Sequence, residues 1–146
     1  MNKKDPFFIR VAHWPEDSAT LCQVRYEVFV IEQSVTEDEE WDGQDGHCQH
    51  VLAFDEHQQA IGTARMFPEG RIGRMAVIKP WRGRGVGRAL LLHLVQRAQR
   101  SGLPQCELHA QTHAVGFYEK NGFTVVGAQF MDANIAHRKM VRIFKS

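Results

Sequence analysis

Arg82-Gly83-Arg84-Gly85-Val86-Gly87-Arg88 sets three glycines at alternate positions, with arginines beside them, just ahead of a leucine-rich segment. That pattern suits a compact anion. Glycines let the backbone approach a ligand, and the first turn of a helix presents unpaired N–H groups with a partial positive charge. A pyrophosphate matches such a site, and flanking arginines add charge-assisted contacts. The loop lacks the Lys and hydroxyl of a G-x-x-x-x-G-K-[ST] phosphate loop. Its G-x-G-x-G spacing, after strands that read as hairpins, also departs from the dinucleotide fingerprint. From Arg71 to Arg100 there are seven Arg and one Lys with no Asp or Glu. Three of these arginines fall in one tight turn instead of spreading over a surface, so nucleic acid is not the expected partner.

A second charged segment opposes the first. Glu32, Glu37, Asp38, Glu39, Glu40, Asp42 and Asp45 stand together without a Lys or Arg among them. Asp38-x-Glu40-x-Asp42-Gly43 imitates the start of a calcium loop, but the twelfth position is Gln49 and strands follow, so the ligand set is incomplete. His47, Cys48 and His50 lack a complementary pair at zinc spacing, and no metal is expected. Cys22, Cys48 and Cys106 are odd in number and widely spaced, which fits free thiols, a reducing compartment and a cytoplasmic protein. Cys106 reads as a small buried hydrophobe. The start, MNKKDPFF, has no apolar run of signal-peptide length, and no segment is apolar for long enough to span a membrane.

The elements that must hold these residues follow from periodicity. The 146 residues, with a formal net charge of +1, read as a single domain over 1–146. Phe7 to Ala12 is a strand. Leu21, Val24, Val28 and Ile31 recur at helical spacing, giving a helix from about Pro15 to about Gln33. Ser34 to Gln49 reads as a polar loop. His50–Phe54, Ile61–Phe67 and Ile72–Ile78 form a meander, and a helix after the glycine loop stops at Gly102 before Pro104. Glu107–Ala110 is a strand, Ala114–Asn121 a short helix, and Thr124–Phe130 with Ile135–Phe144 a closing pair. The order β-α-β-β-β-α-β-α-β-β is an α/β (α+β) arrangement with a mostly antiparallel sheet of six or seven strands and about four helices.

Two stretches in this order resemble one family. Arg82 to Gly87 fits R/Q-x-x-G-x-G/A, the acetyl-CoA pyrophosphate loop of the GNAT (Gcn5-related N-acetyltransferase) superfamily. "CELHAQTHAVGFYEKNGFTVVG" is similar to its later strand, helix and "FYEKxGF" signature. The resemblance covers nearly the whole chain and implies the GNAT fold. It implies acetyl-CoA as co-substrate, with Met75, Ala76 and Val77 offering backbone groups to the pantetheine arm. Gly83, Arg84, Gly85, Val86, Gly87 and Arg88, preceded by Arg82, would cradle the pyrophosphate. Tyr118 matches the tyrosine that protonates the departing thiolate in many members. Gln111 stands where the family often carries an Asn that contacts pantetheine.

"RYEVFVIEQSV", from Arg25 to Val35, resembles a subgroup of small bacterial members that also carry an E-x-D-G-x-D loop, here Glu40 to Asp45, and a His at the next strand, here His50. The resemblance implies that this helix and loop wall the acceptor pocket. Carboxylates there would attract a protonated amine, with Glu32 and His50 as candidate bases. The expected activity is acetyl transfer to the primary amine of a small molecule by direct attack, without a covalent enzyme intermediate. A second reading is an acyl-CoA-binding regulatory module without transferase activity. A homodimer is compatible with the closing strands and the exposed apolar residues.

Overall fold

The structure is a computed structural model that describes residues 5–145. The reading of the N-terminal segment as leaderless falls in part on Met1 to Lys4, outside the described residues. Among the described residues, seven strands form one sheet: β1 (Phe7–Ala12), β2 (Gln49–Asp55), β3 (Ala60–Met66), β4 (Arg71–Val77), β5 (Gln105–Gln111), β6 (Thr124–Asp132) and β7 (Ile135–Ile143). They lie in the order β1-β2-β3-β4-β5-β7-β6. Every pairing is antiparallel except β4 with β5. This is the expected α/β arrangement. Among the described residues, no helix is long and apolar enough to cross a membrane.

Period-two alternation gives the sheet two apolar faces. Val51 and Ala53 of β2 join one cluster with Leu90, Leu91, Leu94, Val95 and Ala98 of helix α3 (Val86–Arg100). Leu52, between them, packs with Leu21 of helix α1 (Ser18–Arg25) on the opposite face. Cys106 is fully buried in the α3 cluster, and burial pushes its thiol up to about 11. Helix α4 (Val115–Lys120) contributes Phe117 and Tyr118 to the edge of that cluster.

The helix expected as far as Gln33 changes character. After Arg25 it continues as π-helical turns over Tyr26–Glu32, and the Gln33 N–H donates to the Val28 carbonyl five residues back. The wider turn rotates the apolar stripe out of register. Ile31, expected inside, is 65% exposed, while Phe29 packs beside Val24, Val28 and Ala76. The acidic segment, expected as a loop, contains helix α2 (Glu37–Glu40), capped by the Thr36 hydroxyl, and a short 3₁₀ turn at Asp45–His47.

Two irregularities shape the middle of the sheet. On β3, Thr63 faces Ala76 and Arg65 faces Gly73, so Ala64 alone opposes both Arg74 and Met75. Arg74 is the bulged residue, with φ 48 in the left-handed region. The bulge inverts the alternation. Ile72 packs toward α3, yet Ala76, four residues on, packs against α1. The second irregularity is the parallel pair, which holds only at Arg71 with Glu107 and Ile72 with Leu108. Beyond them β4 and β5 part, and the sheet opens into a cleft.

Candidate active site

The parted strands line a cleft of about 1040 Å³ that runs from the glycine loop to α2 and the closing hairpin. At one end, Gly83 and Gly85 have φ values of 75 and 89, and a Cβ on either would meet nothing within 4 Å. Gly85 is the N-cap of α3 and offers no capping side chain, while Ala89 N–H to Gly85 carbonyl is the first bond of the helix. The amides of Val86, Gly87 and Arg88 therefore precede the helical ladder. They carry the positive end of the helix dipole, with no acid in the first turn. These features fit an anion held by backbone.

The arginines around the loop divide. Arg88 lines the cleft. Arg84 turns aside, reaching Asp5 at 3.7 Å and lying over the Trp81 ring at 5.2 Å. Arg82 binds the Glu32 carboxylate with both terminal nitrogens, at 2.5 and 2.6 Å, and donates from Nε to the Val77 carbonyl at 2.9 Å. The Val86 side chain is core, 1% exposed, so only its backbone can serve a ligand.

At the centre, Met75, Ala76 and Val77 of β4 line the cleft beside the bulge. The Tyr118 hydroxyl reaches across to Met75 Sδ at 3.7 Å, and its ring packs edge-on against Phe117 and Phe123. Burial pushes the phenol up to about 12, so it holds its proton at neutral pH. Gln111, at the end of β5, donates to Gln33 at 2.8 Å. Glu32 and Gln33, adjacent in sequence, thus tie the end of the π-helical segment to both lips of the cleft.

Glu40, Asp42 and Asp45 do not present free carboxylates there, although Glu39 lines the cleft. Arg25 donates to Glu40 at 2.7 Å and to Asp45 at 2.6 Å, and Arg65 to Asp45 at 2.9 Å and Asp42 at 2.5 Å. Arg74 meets Glu40 at 3.1 Å and Asp42 at 3.3 Å. Three arginines and three carboxylates compensate one another, with Arg25, Glu40 and Arg65 nearly inaccessible. The expected lure for a cationic amine is in these positions a structural clamp. The same network occupies Glu40 and Asp42 of the calcium-like sequence. Among the described residues, no group of three or more His, Cys, Asp or Glu could hold a metal ion.

The two expected bases are not poised. Glu32 is engaged by Arg82, whose hydrogen bonds hold its carboxyl below the usual range. His50 is 3% exposed; its Nε2 donates to the Asp45 carbonyl at 2.9 Å and its ring stacks on Trp14. It sits beneath the charge cluster and not on the cleft wall, and desolvation lowers its pKa. Sequence reasoning passed over His109, His113 and His137, which do line the cleft.

Residues 17–144 match the acetyltransferase (GNAT) domain. The chain belongs to the GNAT acetyltransferase family. It is 36% identical over 123 residues to the uncharacterised N-acetyltransferase YjcF of Bacillus subtilis, covering 82% of this chain and 87% of that protein. It superposes on an acyl-CoA N-acyltransferase from Pseudomonas aeruginosa with a TM-score of 0.81 at 27% identity, covering 94% of this chain and 99% of that one. Escherichia coli ElaA gives a TM-score of 0.81 at 25% identity, with 94% and 99% covered. This GNAT protein is therefore an acyltransferase of the N-acetyltransferase kind, from a family that uses acyl-CoA donors.

Proposed function

We propose that this GNAT protein transfers the acetyl group of acetyl-CoA directly to the primary amine of a small molecule. The observation that carries the reading is the Tyr118 hydroxyl set over the β4 bulge, next to a glycine loop with open backbone. The amides of Gly83 to Arg88 would take the pyrophosphate, and the edges of β4 and β5 would flank the pantetheine. A backbone N–H freed by the bulge at Met75 or Ala76 would polarise the thioester carbonyl as an oxyanion donor. Tyr118, kept protonated by burial, would protonate the leaving thiolate as the tetrahedral intermediate collapses. A thioester is already activated, so positioning supplies much of the acceleration and no enzyme nucleophile is needed.

Acetyl-CoA is expected to raise the melting temperature, whereas NAD and ATP are not; no shift with acetyl-CoA would remove the donor assignment. Gly85→Ala places a Cβ in the left-handed region and should cost about 1–2 kcal/mol of stability by denaturant unfolding. The same variant should weaken acetyl-CoA binding by roughly tenfold as the loop leaves its conformation. Unaltered binding would mean that the loop backbone does not hold the donor.

A further inference from the structure

Aminolysis needs a group that takes a proton from the attacking nitrogen; Glu32 lines the cleft but is held by Arg82, and His50 lies off the cleft wall. The cleft where β4 and β5 part offers another. On β5, Cys106, Leu108 and Ala110 point into the α3 cluster, so Glu107, His109 and Gln111 point to the face covered by α1 and α2. Glu107 meets Lys139 at 3.4 Å and Gln111 is tied to Gln33. His109 follows directly on the last β4–β5 pair, Ile72 with Leu108, and lines the cleft where the strands part. Its exposed ring packs edge-on against Phe130, with centroids 5.1 Å apart at 80°. Phe130 is in turn stacked on His137, whose Nδ1 donates to the Ile135 carbonyl at 2.7 Å. An exposed imidazole, packed edge-on against one ring, thus opens into the cleft.

We propose that His109 is the proton acceptor of the transfer, a reading that rests on the acetyl-transfer function above. As the amine lone pair attacks the thioester carbon, the C–N bond forms and the nitrogen gives one proton to the imidazole, directly or through one water. The C–S bond then breaks, and the thiolate takes the proton of Tyr118. Water carries the proton of the imidazolium back to the tyrosinate, leaving an amide, a free thiol and both residues as they began. An acceptor that arrives as ammonium first loses one further proton to solvent.

The groups around the ring are Arg71 on β4, Glu107 on its own strand, Asp132 on β6, and His137 and Lys139 on β7, with Glu39 of α2 lining the same cleft. Desolvation, then Arg71, lower the His109 pKa below 6.5, while Glu107 and Asp132 act in the opposite direction. The imidazole is accordingly neutral, and able to accept a proton, at pH 7.

The test is kcat against pH, read as thiol release from acetyl-CoA. The acceptor is whichever of glucosamine 6-phosphate, spermidine, lysine and tyramine turns over fastest, at saturation. Wild-type kcat should fall on the acid side with an apparent pKa below 6.5. His109→Gln and His109→Asn should each lower kcat by about 10²-fold or more and lose that acid limb. Both should keep the melting shift with acetyl-CoA, and added imidazole should restore turnover to His109→Ala. Near wild-type kcat with the limb intact in either folded variant would overturn the assignment of His109 alone. A wild type that neither shifts with acetyl-CoA nor releases thiol with any of the four amines would overturn the transfer reading, and this assignment with it.

Discussion

Tyr118→Phe is expected to lower kcat by about 10²- to 10⁴-fold, the range for losing a positioned proton donor, while acetyl-CoA affinity stays close to wild type. Phenylalanine keeps the ring and its edge contacts with Phe117 and Phe123. Among the described residues, the one hydrogen bond of the hydroxyl runs to a thioether sulfur, a weak acceptor, so the fold loses little. With the phenol pushed up to about 12, activity should also show no loss from tyrosine ionisation near pH 10, where an ordinary phenol titrates. Stopped-flow or steady-state thiol release, beside a binding titration with acetyl-CoA, separates the two quantities. Unchanged kcat in Tyr118→Phe would leave the thiolate to be protonated by water and remove the tyrosine from the mechanism.

The second large effect lies in the charge cluster. Arg25→Ala removes the partner shared by Glu40 and Asp45, both nearly inaccessible, and should destabilise the fold by about 3–5 kcal/mol. The reading is the urea midpoint at constant slope. A cost of about 1 kcal/mol or less would place the pair with surface ion pairs, contrary to its burial. Asp45 and Asp42 give a pH dependence of one sign, which burial opposes at Glu40 by pushing that carboxyl up. Burial pushes the Asp45 carboxyl up, but Arg25 and Arg65 overcome it and hold its pKa below 3.8; Asp42, beside Arg65 and Arg74, is also held below 3.8. Folded-state values below the unfolded ones give stability that is present above pH 3.8 and lost as pH falls through the folded-state values. The contribution of these two carboxylates should therefore persist until pH falls below their ordinary range.

Local pattern carried most of the architecture. The apolar alternation of β2 and β5, the leucine stripe of α3 and the stop at Gly102 are short-range signals, and each element forms where its residues place it. The backbone of the glycine loop was equally legible, because alternating glycines ahead of a helix mark a left-handed turn into its N-terminus. What escaped depends on distant partners or on one inserted residue. The π-helical turns have no sequence marker distinct from an α-helix, so Ile31 was assigned to the wrong face. The acidic segment looked like a lure for cations because its arginines arrive from α1, β3 and β4, far away in sequence.

Some of this was recoverable. Arg25 lies four residues after Leu21 and three before Val28, on the apolar face of the helix, where an arginine requires a buried carboxylate. His109 could also have been found by carrying the β5 alternation one step further, since Cys106, Leu108 and Ala110 leave it on the opposite face. The acidic segment and the subgroup resemblance drew attention to Glu32 and His50 instead. The register of Arg82 against Glu32, fifty residues apart in sequence, had no local signal.

The central claim is tested most directly by incubating the protein with acetyl-CoA and each of the four amines, then following thiol release and the mass of the amine. The account predicts release that depends on the amine, with one acetyl group gained per thiol freed and no acetylated protein accumulating. Thiol release without an acetylated amine, or binding of acetyl-CoA with no transfer to any primary amine, would contradict it.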